Sequence, residues 1–212
     1  MAGKVFFSVT MSLDGFIAPD SAEELMGRQW MELQAWVFAT RFFRDNLGIG
    51  GRGEEGIDDD VARQTFDRTG ASVMGKRMFD AGEQMWPEDA PFHTPVFVVT
   101  HEKRDPWERP GGTTFHFVND GIESAVGRAR AAAGDRDVRI AGGGTAIVES
   151  MNAGLVDEFT ISLSPVLFGS GVRLFEGADA SRVALDLVRT EDSPRVTHLT
   201  YAVRRREQQR QR

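Results

Sequence analysis

Short apolar runs recur along the chain, and each is followed by a turn or by a segment with helical spacing. The runs at residues 71–74 and 95–100 hardly alternate with polar residues, which is typical of strands covered on both faces. Residues 194–204 alternate cleanly, which favours an antiparallel strand near the end of a sheet. Strands are predicted at residues 4–11, 71–74, 95–100, 113–118, 137–141, 156–163 and 194–204.

Helical spacing of apolar residues fills the gaps between these runs. Residues 58–69 open with Asp58, Asp59 and Asp60, which favour a helix N-terminus through capping and through the helix dipole. Strands alternate with helices through the middle, and strands dominate the end. This order predicts an α/β fold with a mostly parallel sheet and antiparallel C-terminal strands. Helices are predicted at residues 29–45, 58–69, 76–84, 121–133 and 145–153.

Two polar segments stand outside this pattern. Residues 46–60 are rich in glycine and acidic residues, and we expect a surface loop there. Residues 204–212 (RRREQQRQR) are basic and polar, and we expect a disordered tail over 205–212. The remainder, 1–204, is predicted to be a single domain.

Composition narrows the classes of partner and site. The net charge of -7 argues against a nucleic-acid partner, although the basic tail leaves that alternative open. The chain has no cysteine, which excludes disulfides and thiolate metal sites, and we predict no metal. No apolar stretch approaches the length of a signal peptide core or a membrane span, so we expect a cytoplasmic protein without a membrane partner.

The first candidate anion site is the stretch SVMGKRMF, in which a strand passes through Gly75 into a helix. Lys76 and Arg77 lie in the first helical turn, where cations oppose the helix dipole. A bound anion would reverse that effect, because free N–H groups and both side chains would point at it. The alternative is that both are solvated surface charges.

The second candidate follows the strand in VFVVTHEKR. Ligands of open α/β sheets collect beyond the carboxyl ends of the strands. There Thr100 and His101, followed by Lys103 and Arg104, would suit a ribose 2′-phosphate. The alternative is an ordinary polar turn.

The third candidate is the glycine triplet in RIAGGGTAI. Gly142, Gly143 and Gly144 lie between a strand and a helix, where glycine allows a ligand to approach the backbone closely. Thr145 can cap the helix and donate its hydroxyl group. A pyrophosphate would meet free N–H groups at that N-terminus. The triplet matches neither the dinucleotide-binding fingerprint nor a P-loop, so its weight comes from the two similar sites at neighbouring strand ends.

Several of these stretches together resemble the dihydrofolate-reductase-like superfamily. SVTMSLDGFIA, SVMGKRMFD, PVFVVTHEKR and IAGGGTAIVESMNAGLVDEFTISLSPVLFGSGVRLFEG occur in one order. The branch they resemble most is named for the reductase domain of the riboflavin-biosynthesis deaminase/reductase (RibD C-terminal-like). The likeness covers about residues 4–204 and leaves 21–69 as a poorly matched, variable helix and loop insertion.

The resemblance implies a three-layer fold with helices on both faces of a mixed sheet, and NADPH bound across that sheet. Gly75, Lys76 and Arg77 would face the cofactor phosphates, and Thr100 with His101, Lys103 and Arg104 would lie near the adenosine ribose. The glycine turn with Thr145 would seat the pyrophosphate. The LFGSG turn (167–171) would shape the substrate mouth or the edge of a homodimer, or form only a hairpin.

Two departures from the resembled branch concern the substrate. The riboflavin enzymes carry a lysine after SLDG, where this chain has Phe16, and an acidic residue before the paired glycines, where Ala141 or Gly142 stands. An aromatic ring cannot pair with a sugar phosphate, which argues against that substrate. The acids of the first helical segment, Glu24, Glu32 and Asp45, match no proton-donating motif.

These observations predict an NADPH-dependent oxidoreductase that transfers a hydride to a small heterocyclic (pterin- or pyrimidine-like) or carbonyl compound. Asp14 is the acidic candidate for catalysis, with a turn-holding role as its alternative. Phe16, Trp30 and Trp36 are the candidate substrate-binding wall, or simply core. A non-catalytic nucleotide-binding protein is the alternative function.

Overall fold

A nine-stranded sheet forms the centre of the molecule in the computed structural model, which describes residues 3–21 and 24–206. Its strand order is β10-β11-β8-β1-β7-β3-β4-β6-β5. The central strands β8 to β6 run parallel, and β10, β11 and β5 are antiparallel to their neighbours. The strands are β1 (Val5–Ser12), β3 (Thr69–Gly75), β4 (Pro95–Val99), β5 (Trp107–Glu108), β6 (Thr114–Val118), β7 (Asp137–Gly142), β8 (Glu158–Ser164), β10 (Val183–Asp192) and β11 (Thr197–Arg205). A separate ribbon pairs β2 (Phe16–Ala18) with β9 (Val172–Arg173).

Helices cover both faces of this sheet. They are α1 (Arg28–Leu33), α2 (Ala35–Ala39), α3 (Arg41–Asn46), α4 (Ile57–Asp67), α5 (Lys76–Glu83), α6 (Ile122–Ala133) and α7 (Gly144–Asn152). Helices α6 and α7 pack on one face, and α1 to α5 lie over the other. The predicted three-layer α/β architecture, with a mostly parallel sheet and antiparallel end strands, is confirmed.

The face beneath α6 and α7 carries the main apolar core. Alternation along β1 sends Val5 and Phe7 to this face, where Phe7 stacks on Phe159 of β8 with ring centroids 4.7 Å apart. Val138 and Ile140 of β7 join the same cluster. Burial of one such side chain stabilises the folded state by about 1.5–3 kcal/mol. This apolar layer therefore holds the strands in place, including the residues that they present on the opposite face.

The face beneath α1 to α4 is unusually polar. Ser8 and Thr10 of β1 lie in register with Thr160 and Ser162 of β8, and His198 of β11 lies in register with Ser162. These side chains alternate with the core residues and therefore point away from the main apolar core. Helices α1 to α4 thus cover a layer of hydrogen-bonding side chains.

The predicted single helix over residues 29–45 is wrong, because the chain forms α1, α2 and α3 instead. Gln34 separates the first two helices, and its side chain accepts a hydrogen bond from the Thr10 hydroxyl. Thr40 is extended (φ −69°, ψ 147°), and its hydroxyl oxygen accepts from the Phe43 N–H to cap α3. Apolar spacing carries no sign of these breaks, because apolar residues recur at helical spacing on both sides of each break.

The aspartates at the start of α4 do not cap it, contrary to the sequence prediction. Gly56 precedes the helix with φ 129°, and no side chain caps it. Asp58 instead bonds to His198, and Asp59 accepts from the Phe42 N–H and from Arg63. Their charges still lie at the favourable end of the helix dipole.

Three other segments differ from expectation or extend it. Strand β10 was not predicted, because its residues are largely exposed and its apolar positions are interrupted by charges. The predicted loop contains Glu54, which pairs with Arg195 and forms a bridge to Thr40. Strand β11 continues to Arg205, and residues 207–212 of the predicted tail lie outside the described residues.

Within residues 3–21 and 24–206, no helix is long and apolar enough to cross a membrane.

Candidate functional site

A cavity of about 1110 Å³ opens at the carboxyl ends of β7, β3 and β4 and extends under α1 to α4. Its volume lies slightly above the usual range of small-molecule sites, about 300–1,000 Å³. Residues from all three predicted anion sites line it. The sheet topology brings them together because β7, β3 and β4 are neighbours and run in the same direction.

The glycine turn after β7 lies directly against the turn after β3. Gly143 has φ 92°, and a Cβ atom built there would lie 3.2 Å from the Cα atom of Gly75. A Cβ atom at Gly144 would lie 2.9 Å from a side-chain carbon of Val172. Glycine is therefore required by backbone conformation and by close packing at this turn.

The N-termini of α5 and α7 follow these two turns, and neither has a side-chain cap. The prediction that Thr145 caps α7 is wrong, because the helix begins at Gly144 and its N-cap residue is Gly143. Thr145 is exposed and lines the cavity from within the first turn. Two sets of free helical N–H groups, with the positive ends of two dipoles, are thus available at the cavity.

Lys76 and Arg77 both line the cavity, and both have partners within the protein. Lys76 Nζ lies 2.6 Å from Asp80 and 3.3 Å from Glu102, and the hydrogen bond to Asp80 is the main cause that raises the lysine pKa. Arg77 Nη2 donates to the carbonyl oxygens of Pro19 (2.6 Å) and Asp20 (2.8 Å). Arg77 thus ties the segment after β2 to the start of α5.

The structure separates the second predicted group. Thr100 and His101 line the cavity, and the buried Thr100 hydroxyl oxygen accepts from the Glu102 N–H at 3.0 Å. Lys103 and Arg104 do not line it. Arg104 pairs with Glu83 at 2.6 Å and lies over three rings, with its guanidinium carbon 5.4, 5.2 and 4.8 Å from the centroids of Phe79, Trp107 and Phe117.

Aromatic side chains of α1 to α4 form one wall of the cavity. Trp30 and Trp36 belong to this wall, together with Phe38, Phe43 and Phe66. Trp36 Nε1 donates to the Thr10 hydroxyl at 2.9 Å, and Thr10 donates to Gln34 at 2.8 Å. This chain fixes the orientation of the Trp36 ring against the polar sheet face.

Phe16 and Asp14 lie outside the cavity lining. Phe16 is buried in a separate cluster with Phe168, and the guanidinium of Arg173 lies 4.3 Å from its ring centroid. Asp14 accepts hydrogen bonds from Ser12 Oγ (2.6 Å) and from the N–H groups of Phe168 and Gly169.

The hydrogen bond from Ser12 is the main cause that lowers the pKa of Asp14 to about 2. The carboxylate therefore joins the end of β1 to the LFGSG turn, whereas the alternative role predicted from the sequence is to hold its own Asp14-Gly15 turn.

Sequence reasoning missed Arg139, which lines the cavity from the middle of β7. Its signal was an arginine in the middle of the short strand DVRIA, where alternation places it on the face opposite Val138 and Ile140. Burial lowers the pKa of Arg139 to about 10, and its guanidinium carbon lies 4.7 Å from the centroid of the Phe66 ring.

Acidic groups are scarce in this cavity. Among the described residues that line it, the carboxylates are Glu102, which pairs with Lys76, and the exposed Glu149 of α7. No group of three or more histidine, aspartate or glutamate side chains in the described part of the chain is placed to hold a metal ion.

Comparison with known proteins agrees with this geometry. The model of the RibD C-terminal domain family matches residues 3–199. The uncharacterized protein YyaP of Bacillus subtilis (strain 168) is 26% identical over 189 residues, which cover 88% of this chain and 87% of that protein.

Two solved structures show the same fold. A putative riboflavin biosynthesis protein from Shewanella sp. PV-4 superposes with a TM-score of 0.68 at 22% identity, over 95% of this chain and 99% of the other. Dihydrofolate reductase from Enterococcus faecalis, solved as a complex with NADP(H) and RAB-propyl, gives a TM-score of 0.56 at 14% identity, over 98% and 99% of the two chains. The chain belongs to the RibD C-terminal domain family, whose fold is shared by reductases.

Proposed function

We propose that the protein is an NADPH-dependent oxidoreductase that transfers a hydride to a small heterocyclic (pterin- or pyrimidine-like) or carbonyl compound. One observation carries the proposal. Two helix N-termini without side-chain caps meet through Gly75 and Gly143, and they line the same cavity as a group of aromatic side chains. The first feature suits a pyrophosphate, and the second suits a planar ring beside it.

The residues at the glycine turns fit a dinucleotide. Backbone N–H groups of α5 and α7 would bind its phosphates, and the bare backbone of Gly143 allows the close approach that such bonds need. Thr100 and His101 would lie beside the adenosine ribose, and Lys76 would exchange Glu102 for a phosphate oxygen. The dihydrofolate reductase with this fold, which binds NADP(H), supports the assignment. When bound, the cofactor supplies the hydride.

The aromatic wall would orient the substrate. Trp36 is held by Thr10, and Trp30 packs edge-on against Phe38 with centroids 6.1 Å apart, so both rings are fixed before a ligand arrives. Fixed rings exclude water and hold a planar molecule in one plane, which brings the reacting atoms together at little entropic cost.

A non-catalytic nucleotide-binding protein is the second candidate, and one observation favours it. The carboxylates in the described lining are those of Glu102 and Glu149. Neither lies on β1, α1 or α2, the elements that carry Thr10, Trp30 and Trp36. A reductase of this design would take its proton from water or through a hydroxyl group such as that of Thr10.

Cofactor titration separates these functions. Purified protein is titrated with NADPH and with NADH while the fluorescence of its four tryptophans is followed. We expect NADPH to bind in the micromolar range and more tightly than NADH. If neither binds below millimolar concentration, both functions are wrong. If NADPH binds and no oxidation of it follows with dihydrofolate, pterins, flavins or pyrimidine precursors, the binding protein is favoured.

Two substitutions test where the phosphates lie. Arg77→Ala frees the segment after β2 and removes a cation from the start of α5, and we expect NADPH affinity to fall about tenfold. Lys103→Ala is the matched control, since this exposed cation does not line the cavity. Equal effects of the two substitutions would contradict the assigned position.

A homodimer through the LFGSG turn is a separate proposal. Leu13 and Leu167 are 57% and 72% exposed and lie close together, because the Leu13 N–H donates to the carbonyl of Val166. Light scattering on wild type and on Leu167→Glu tests it. A monomer for the wild type, or a dimer unaffected by the substitution, would contradict it.

A further inference from the structure

Arg139 is a charged group without a protein partner in the floor of the cavity. Its Nε atom is buried and has no hydrogen-bond partner, and its side chain makes no ion pair with any residue in 3–21 or 24–206. Lys76 and Arg77, the other Lys and Arg side chains in the described lining, are bonded to carboxylates or to backbone carbonyls. Arg139 is half-buried, and its Nε has lost its hydration without gaining a hydrogen bond, which is unfavourable.

The carboxylates on the same side of the sheet cannot supply the missing partner, because each is already bonded elsewhere. Asp137, two residues before Arg139, and Glu158 of β8 both pair with Arg68. Asp59 of α4 pairs with Arg63, and Asp58 with His198. None of these four carboxylates neutralises Arg139, so an anion bound in the cavity can serve as its counter-ion.

The surroundings of Arg139 indicate the shape of that counter-ion. Phe66 lies against the guanidinium, at 4.7 Å from centroid to carbon, and restricts its motion. A planar guanidinium held in this way forms paired hydrogen bonds with a planar carboxylate. The cavity lining also contains Trp30, Trp36, Phe38 and Phe43, so we expect the carboxylate to be carried by a flat apolar ring.

We propose that Arg139 determines substrate specificity by binding the carboxylate of an aromatic or heteroaromatic acid. Calling the bound acid a substrate rests on the proposed reductase function. The anion site itself is formed by Arg139 of β7 and Phe66 of α4. In this arrangement Arg139 fixes one end of the molecule, and Trp30 and Trp36 hold its ring beside the glycine-turn end of the cavity.

Binding of a matched pair of ligands tests the site without requiring turnover. The probes are 2-naphthoate and 2-naphthamide, which differ in charge at nearly constant shape, measured by calorimetry with and without saturating NADPH. Wild type should bind the carboxylate at least about tenfold more tightly than the amide. Arg139→Met should abolish that preference, and Arg139→Lys should retain part of it. Arg28→Met, on the exposed face of α1, should leave the preference unchanged.

The outcomes distinguish this site from the reductase function. Failure of NADPH to bind, with the carboxylate preference intact, would reject the reductase and keep the anion site. No preference in folded wild type, or a preference that survives in Arg139→Met, would overturn the proposal. Tighter competition by inorganic phosphate than by benzoate would also overturn it, in favour of a phosphate site. Circular dichroism verifies folding, and Arg139→Lys keeps the test valid if the methionine variant does not fold.

Discussion

Trp36 packs edge-on against His198, with ring centroids 5.0 Å apart and an interplanar angle of 71°. The histidine is fully buried between Ser162 Oγ, 2.8 Å from Nδ1, and Asp58 Oδ1, 2.9 Å from Nε2. A wall residue of the cavity is therefore supported from behind by a hydrogen-bonded bridge between β8, β11 and α4.

This bridge predicts the effect of His198→Phe. The substitution keeps a ring beside Trp36 but leaves the Ser162 hydroxyl and the Asp58 carboxylate without their partner. We expect a loss of about 1–3 kcal/mol in the free energy of unfolding, measured in urea by circular dichroism. Asp58→Asn keeps an acceptor oxygen and should cost less, and Asp60→Asn, exposed in the same turn, should lose only the helix-dipole contribution, about 0.3–1 kcal/mol. Wild-type stability of His198→Phe would contradict the bridge.

Gly143→Ala should damage the proposed cofactor site. Its Cβ atom would press on Gly75 at 3.2 Å, and the φ of 92° disfavours alanine by about 1–3 kcal/mol. We expect lower stability and at least about a tenfold rise in the Kd for NADPH.

Gly134→Ala is the matched control for this change. Gly134 also has a positive φ, 63°, but no atom lies within 4 Å of the added Cβ, and the residue is not in the cavity lining. It should lose stability and keep its NADPH affinity. An equal loss of affinity in both variants would show that strain alone, rather than contact at the cavity, affects binding.

Arg104→Ala should affect stability rather than cofactor binding. The side chain lies over Phe79, Trp107 and Phe117 and pairs with Glu83, which together predict a loss of about 1–2 kcal/mol in unfolding free energy. The Kd for NADPH should stay within about twofold of wild type. A selective loss of NADPH over NADH affinity would instead restore the 2′-phosphate role predicted for Arg104 from the sequence.

The features that could be predicted from the sequence depend on local patterns. The central strands are short apolar runs, and Gly75 and Gly143 lie between a strand and a helix, so strand ends and turns follow from neighbouring residues. Parallel strand order then brings separate turns together at one cavity.

The remaining features depend on partners far away in the chain. The side chain of Gln34, between α1 and α2, bonds to Thr10 of β1, and Asp14 is held by the N–H groups of Phe168 and Gly169. The role of Arg139 depends on which carboxylates are already paired, and no pattern within β7 contains that information. For these residues tertiary contacts outweigh local propensity.

The low pKa of Asp14 predicts how acid affects the turn that it holds. Its pKa is about 2 in the folded protein against 3.8 ordinarily, so the folded state favours the ionised form. This contribution to stability is fully present above pH 3.8 and is lost as the pH falls towards 2. Asp14→Asn lacks the charge that Ser12, Phe168 and Gly169 stabilise. The difference in unfolding free energy between wild type and this variant should therefore shrink as the pH falls from 4 to 2.

Urea unfolding at several pH values measures this difference. Asp135→Asn, in the exposed turn after α6, is the control and should differ from wild type by a constant amount. If wild type and Asp14→Asn instead keep a constant difference across this range, the carboxylate does not hold the LFGSG turn. The catalytic role predicted for Asp14 from the sequence would then have to be tested by activity.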